Sequence, residues 1–302
     1  MAVQLIKIFI SIISPVFGMV LIGYFAGPRL QLQSRTLSRA AYFLFVPAFV
    51  FNIISQARGD IKAMGLMALF SVGVVLLTAL AGAATARLMG RPAPVVAAFA
   101  LIASFANVGN FGLPIIEFRL GIDAQVPATI NFLVIVMAAF IVGVGAANLV
   151  RGGKLSAVFA VLKTPALLAL PPAVFFAYTG VPVPLPLQRV ISLLAGAMIP
   201  VMLVALGVQL AASDGLHLGK DVWIASGVRL LGGPLLAAGL AAVLGMSGIE
   251  RATAVIQSGM PAAVLTSIIA IEYDLLPDFV TSAVLFSTIA SVVTLTVLIA
   301  VI

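Results

Sequence analysis

Cysteine is absent from this chain, and charge is scarce in it. Without a thiol there are no disulfides, no thiolate metal sites and no cysteine nucleophile. A single histidine, His217, excludes a histidine-based metal cluster and a Ser–His relay with a spare histidine. Charged residues make up 8% of 302 residues, whereas hydrophobic residues make up 63%. Soluble domains carry about 25% charged residues. With so few charges a soluble surface cannot be covered, so composition points to an integral membrane protein with a mean hydropathy of +1.28.

What charge there is has a clear place. The formal net charge is +7, but the Lys and Arg residues fall between apolar runs. There they act as topology signals and not as a nucleic-acid patch. The first apolar run, residues 5–25, is read as a span and not as a cleaved signal, because it is long enough to cross and Lys7 lies within it.

A span needs about 20 mostly apolar residues. Cutting at polar clusters such as "GPRLQLQSR", "MGRPAP", "RGGK" and "SDGLHLGKD" predicts ten spans: 4–26, 37–55, 64–87, 94–119, 124–150, 157–179, 187–212, 222–245, 251–271 and 277–302. Loops after odd-numbered spans hold nine Lys and Arg (Arg29, Arg35, Arg39, Arg87, Arg91, Arg151, Lys154, Lys163, Lys220). The other side holds six (Lys7, Arg58, Lys62, Arg119, Arg189, Arg251). That bias places both termini outside the cytoplasm, in the inner membrane of the cell.

An internal repeat emerges from the prolines. Pro15 pairs with Pro165, Pro47 with Pro200, and Pro114 with Pro261, at nearly constant offset. Two five-span halves, 1–150 and 156–302, must then be inverted relative to each other, since five is odd. Such inverted repeats are common among secondary transporters. The expected fold is an all-α membrane protein of ten transmembrane helices, with helices four and nine broken and crossed.

The fourth span contains "ASFANVGNFGLP", with Asn107, Gly109, Asn110, Gly112 and Pro114 inside it. The ninth contains "QSGMP". Irregular backbone at membrane depth persists only beside protein or a watery cavity. Asn107, Val108, Gly109, Asn110 and Pro114, with Gly259, Met260 and Pro261, are therefore the candidate substrate-binding residues. Half-helix N-termini with free N–H groups suit an anion. For Pro15, Pro47, Pro165 and Pro200 ordinary helix kinks are the simpler reading.

Arg229 lies inside span eight, where a charge is expensive and is paired or functional. Two readings stay open: positive charge for an anion site, or a structural Arg that snorkels or binds the carbonyl end of a half-helix. Glu117, Arg119, Glu272 and Asp274 read as solvated span ends, and Trp223 as an interfacial anchor.

Three segments together resemble the auxin efflux carrier family, whose members include plant PIN proteins and bacterial malonate-permease-like carriers. They are "NVGNFGLPI" (107–115), "QSGMPAAV" (257–264) and "ISPVFGMVLIGYFAG" (13–27); "LSRAAYFLFVPAFVF" (37–51) adds to them. The resemblance covers the whole chain, without the long central loop of long plant PINs. It implies substrate held where helices four and nine cross. It also implies a homodimer in which helices 1, 2, 6 and 7 form the scaffold and helices 3–5 and 8–10 the transport unit. The plant carriers have an Asn-Pro step at the first crossover where this chain has Leu113-Pro114, so a small organic anion is the expected substrate and not auxin in particular.

The expected activity is thus secondary transport of small organic anions, carboxylates, by elevator-type alternating access. An alternative is a sodium-coupled symporter of the bile-acid type, with Asn107, Asn110, Gln257 and backbone carbonyls as ligands and Glu272 as a minor candidate for proton coupling. A cation/proton antiporter wants acidic residues at mid-membrane, but all nine Asp and Glu lie in loops or near span ends. An intramembrane enzyme lacks any HExxH or Asp pair. No cofactor, resident metal or nucleic-acid partner is expected; the partners are the bilayer and the substrate.

Overall fold

A computed structural model describes residues 2–57, 61–151, 164–212 and 217–302. Arg58, Lys154 and Lys163, counted above among the loop charges, lie outside the described residues, as do the acidic residues Asp60 and Asp214. Among the described residues the chain is helical, without strands. Six helices are long and apolar enough to cross a membrane: α1 (Val3–Arg29), α2 (Ser34–Ser55), α3 (Lys62–Leu88), α9 (Leu185–Ala211), α10 (Lys220–Val243) and α13 (Pro277–Val301). Between them come α4 (Ala93–Ser104), α5 (Leu113–Leu120), α6 (Gln125–Arg151), α7 (Pro165–Leu168), α8 (Leu170–Thr179), α11 (Gly248–Ser258) and α12 (Val264–Glu272).

The prolines have a local consequence that kinks alone do not describe. Five-residue π-helical turns occupy Phe9–Ile13, Ala41–Phe45, Val108–Gly112 and Val228–Gly232. Each ends two residues before a proline: Pro15, Pro47, Pro114 and Pro234. A proline ring clashes with the carbonyl four residues back. Widening the preceding turn relieves that clash, and the N–H just before proline then reaches five residues back, as Leu113 does to Val108 and Gly233 to Val228. Pro165 instead opens α7, where a missing N–H is no loss, and Pro200 is accommodated inside α9.

The chain divides into two compact units. One comprises Met1–Ile13, Lys62–Phe159 and Asp214–Ile302; the other comprises Ser14–Ile61 and Ala160–Ser213. In the first unit, Met67, Phe70 and Val74 of α3 form a buried cluster with Ala237 and Ala241 of α10, Met246, and Ala254 and Val255 of α11. Small alanines opposite large α3 side chains let these helices approach closely, as in other membrane bundles. In the second unit, α1 and α9 meet at glycines. A Cβ on Gly23 would land on the backbone of Val204, and one on Gly207 on the carbonyl of Val20.

Candidate functional site where two helices are interrupted

Spans four and nine are both interrupted, as α4/α5 and α11/α12. The interruption in span four falls at Phe105–Asn107, earlier than its glycines and proline suggest. Gly109, Asn110 and Gly112 lie in the π turn, and Pro114 sits in the first turn of α5, where it is tolerated. The cause is a pairing between the two breaks. Asn107 N–H donates to Pro261 O at 2.8 Å, and Ala263 N–H donates to Phe105 O at 2.8 Å. Ala106 and Ala262 thus face each other in an isolated antiparallel bridge. Phe105 O, which a continuing helix would offer to Gly109, is already engaged. Pro261 lies next to the pairing point and Pro114 well beyond it, so these two prolines do not hold matching places.

Backbone groups at the crossing can be accounted for one by one. Ala262 N–H donates to Ser287 Oγ of α13 at 3.1 Å. Asn107 caps its own helix, its Oδ1 accepting from Asn110 N–H at 3.3 Å. Arg229, buried at 2% exposure, donates to Ala103 O and Ser258 O, the carbonyl ends of α4 and α11. The π turn at Val228–Gly232 carries this Arg, and Gly233 makes room for it, because a Cβ there would meet the guanidinium and Ser258 O.

Among the described residues, several donors at the crossing have no hydrogen-bond partner. They include the backbone N–H of Ala106, Gly109, Val264 and Leu265, Asn107 Nδ2, Arg229 Nε and the hydroxyl of Thr266. Ala103 O and Ser258 O meet a cation, while these amide starts are left open. A partly buried set of donors of this kind is complementary to an acceptor, above all an anion. Beside the crossing, Val74, Val75, Thr78, Ser104, Ala106, Ile135, Arg229 and Ser258 line a cavity of about 10 Å³, room for about one water.

A second polar element braces this region. Gln257 Nε2 donates to Ala128 O at 3.2 Å, and Asn131 Nδ2 donates to Gln257 Oε1 at 2.7 Å. Ser71 Oγ lies 2.5 Å from Asn131 Oδ1 and 2.7 Å from Met67 O. The hydroxyl has one proton. Flipping both amides would set Gln257 Oε1 against Ala128 O, so the Ser71 proton goes to Asn131. The chain of bonds ties α3, α6 and α11 together one turn before the break in span nine.

The sequence profile of the membrane transport protein family matches residues 8–144 and 154–299. The chain belongs to this family, the auxin efflux carriers. An "Uncharacterized transporter" of Methanothermobacter thermautotrophicus is 28% identical over 287 residues, covering 93% of this chain and 94% of the relative. A protein of Rhizobium meliloti named "Putative malonate transporter" is 26% identical over 301 residues, covering 95% of this chain and 93% of its own length.

In this member of the family, Asn107, Val108, Gly109, Gly259, Met260 and Pro261 all lie buried at the two interruptions, and Asn110 is half-buried. Arg229 joins them through the carbonyl ends of α4 and α11. Gln257 is buried one turn away, but both its amide atoms are engaged. Glu272 is exposed as the last residue of α12, apart from the crossing. Asn131, Ser71 and Ser287 escaped the sequence reading. An amide inside the apolar run "INFLVIVM" was the available signal for Asn131.

Proposed function

We propose that the protein is a secondary transporter of small organic anions, carboxylates, that holds its substrate where spans four and nine cross. The observation that carries this reading is the unpartnered donor set: Asn107 Nδ2 with the N–H groups of Gly109, Val264 and Leu265. A carboxylate supplies two acceptor oxygens with about four lone-pair sites. Hydrogen bonds to a charged group are the stronger class, about 1.5–3 kcal/mol each. The relative named for malonate supports a dicarboxylate as the first substrate to try.

The ten spans form two inverted five-helix halves, 1–150 and 156–302, with α4/α5 and α11/α12 as the crossed pair. The unit built from Ser14–Ile61 and Ala160–Ser213 serves as the scaffold of a homodimer in the inner membrane. The other unit carries the crossing and moves as the transport body, giving access alternately to each side. Family membership and the compactness of the two units support this division.

The test is binding of malonate and a panel of mono- and dicarboxylates to purified protein, followed by uptake into proteoliposomes. Saturable binding of at least one carboxylate, lost in Asn107→Asp, is the expected result. Failure of every carboxylate to bind, with a cationic or neutral solute transported instead, overturns it.

A further inference from the structure

We infer that Arg229 is a resident cation that fills the place a coupling metal ion takes in other crossed-helix carriers, so that transport proceeds without sodium. This inference rests on the anion-carrier reading but concerns the opposite face of the same crossing. In carriers with broken helices, unwound carbonyls and half-helix C-terminal ends coordinate the coupling Na⁺, while half-helix N-termini face the anionic substrate. Here the two C-terminal ends converge on one guanidinium, which donates to Ala103 O of α4 and Ser258 O of α11.

The neighbourhood is what a sodium ion would use. Ser104, Ser258 and Thr78, each with a hydroxyl, line a cavity of about one water with Arg229 on its wall, and the guanidinium reaches the carbonyls of Ala103 and Ser258. All are oxygen donors, suited to a hard cation. No carboxylate pairs with Arg229 among the described residues; Arg91–Asp221, at 2.7 Å, is a partly exposed ion pair elsewhere. A buried positive charge without an acidic partner is held by carbonyl dipoles at two helix C-termini, each equivalent to about half a negative charge. Local backbone is fitted to that arrangement. The π turn Val228–Gly232 directs the side chain, and Gly233 has no Cβ where one would strike the guanidinium and Ser258 O.

Two consequences follow. Arg229 is a positioning residue: it clamps α4 to α11 and so fixes the amide starts of the two later half-helices opposite. It also supplies a fixed charge that travels with the transport unit and offsets the charge of a bound anion, the role a co-transported cation would otherwise fill.

Thermal melting of the purified full-length protein separates the possibilities, with no substrate required. The expected result is that wild-type melting and malonate binding are the same in sodium chloride and choline chloride. Arg229→Ala, with the guanidinium gone and the carbonyl ends open, should melt lower. Methylguanidinium or Na⁺ at about ten times its dissociation constant should then raise its melting temperature by about 3 °C, while choline has no effect. Arg229→Lys keeps a charge without the planar fork and should show a smaller response. A wild-type protein whose melting or malonate binding requires Na⁺ overturns the inference, as does an Arg229→Ala protein that responds equally to Na⁺, methylguanidinium and choline. If Arg229→Ala does not fold, the same comparison is made on Arg229→Lys, where absence of any cation-specific shift counts against the proposal. Should no carboxylate bind wild type while the cation-specific shifts persist, the anion reading fails and the resident-cation reading stands.

Discussion

Asn107 and Pro261, far apart in sequence, are joined by a backbone hydrogen bond of 2.8 Å. That bond, with its counterpart from Ala263 to Phe105, makes each interruption the partner of the other. Neither break is then an isolated defect. Part of the backbone freed by one interruption satisfies part of that freed by the other, which is how irregular structure survives at membrane depth.

Asn107 has two separable duties. Its Oδ1 caps the π turn through Asn110 N–H, and its Nδ2 is unpartnered. Asn107→Asp keeps the capping oxygen and replaces the free donor with negative charge. Its melting temperature should stay close to wild type while carboxylate affinity is lost. Asn107→Ala removes both, so affinity should fall about 10- to 150-fold, with a cap loss of about 1 kcal/mol. Paired melting and binding curves on each protein check this; wild-type affinity in the Asp variant would remove Nδ2 from the site.

The chain from Ser71 through Asn131 to Gln257 should behave as one unit. Asn131→Leu orphans Gln257 Oε1, at about 1–3 kcal/mol, while the Ser71 hydroxyl falls back on Met67 O. Adding Gln257→Leu should cost less than the sum of the single changes, because the partner is already lost. A double-mutant cycle from chemical or thermal denaturation measures the coupling; strict additivity would mean the bonds are not shared.

Helix breakers inside apolar runs were the legible part of this site. Asn107 to Pro114 and Gly259 to Pro261 stand out because a lipid-facing helix has no use for them. Where the helix stops was not legible, since Phe105 loses its helical partner to Ala263, a residue of the other segment. Local propensity favours a break at Gly109 and Pro114, yet both are absorbed into a π turn and the first turn of α5. Arg229 was visible as a costly charge, but its partners are carbonyls, which every residue carries and no sequence pattern marks. Asn131 with Gln257 illustrates the same limit, because the pairing needs α6 and α11 to be side by side. The proline-linked π turns combine both: the clash is local and readable, while the choice of a wider turn over a kink depends on the neighbours.

Membrane orientation offers a direct measurement, helped by the absence of native cysteine. The nine-to-six bias of Lys and Arg predicts the loop after α3 inside and the loop after α5 outside. Leu88, the last residue of α3, and Ile122, between α5 and α6, are exposed at 89% and 69%. In intact cells, Ile122→Cys should react with an impermeant maleimide and Leu88→Cys only after permeabilisation. The reverse pattern would invert the whole topology.

Close approach of α1 and α9 predicts a strong effect far from the crossing. Gly23 and Gly207 sit opposite backbone, so neither can take a methyl group without moving a helix. At Gly207 the added Cβ would fall on Val20 O and near Tyr24 N and the Gly23 carbonyl carbon. Rotating a side chain cannot relieve a clash with backbone, so the helices must separate and lose dispersion contacts along their length. Gly207→Ala gains about 1 kcal/mol of helix propensity, which an isolated helix would register as stabilisation. The packing loss should outweigh that gain and lower the melting temperature. Gly196→Ala is the matched control, because open space surrounds that glycine on the same helix. It should leave melting unchanged or slightly raised. Equal melting of the two variants would show that α1 and α9 do not pack on these glycines.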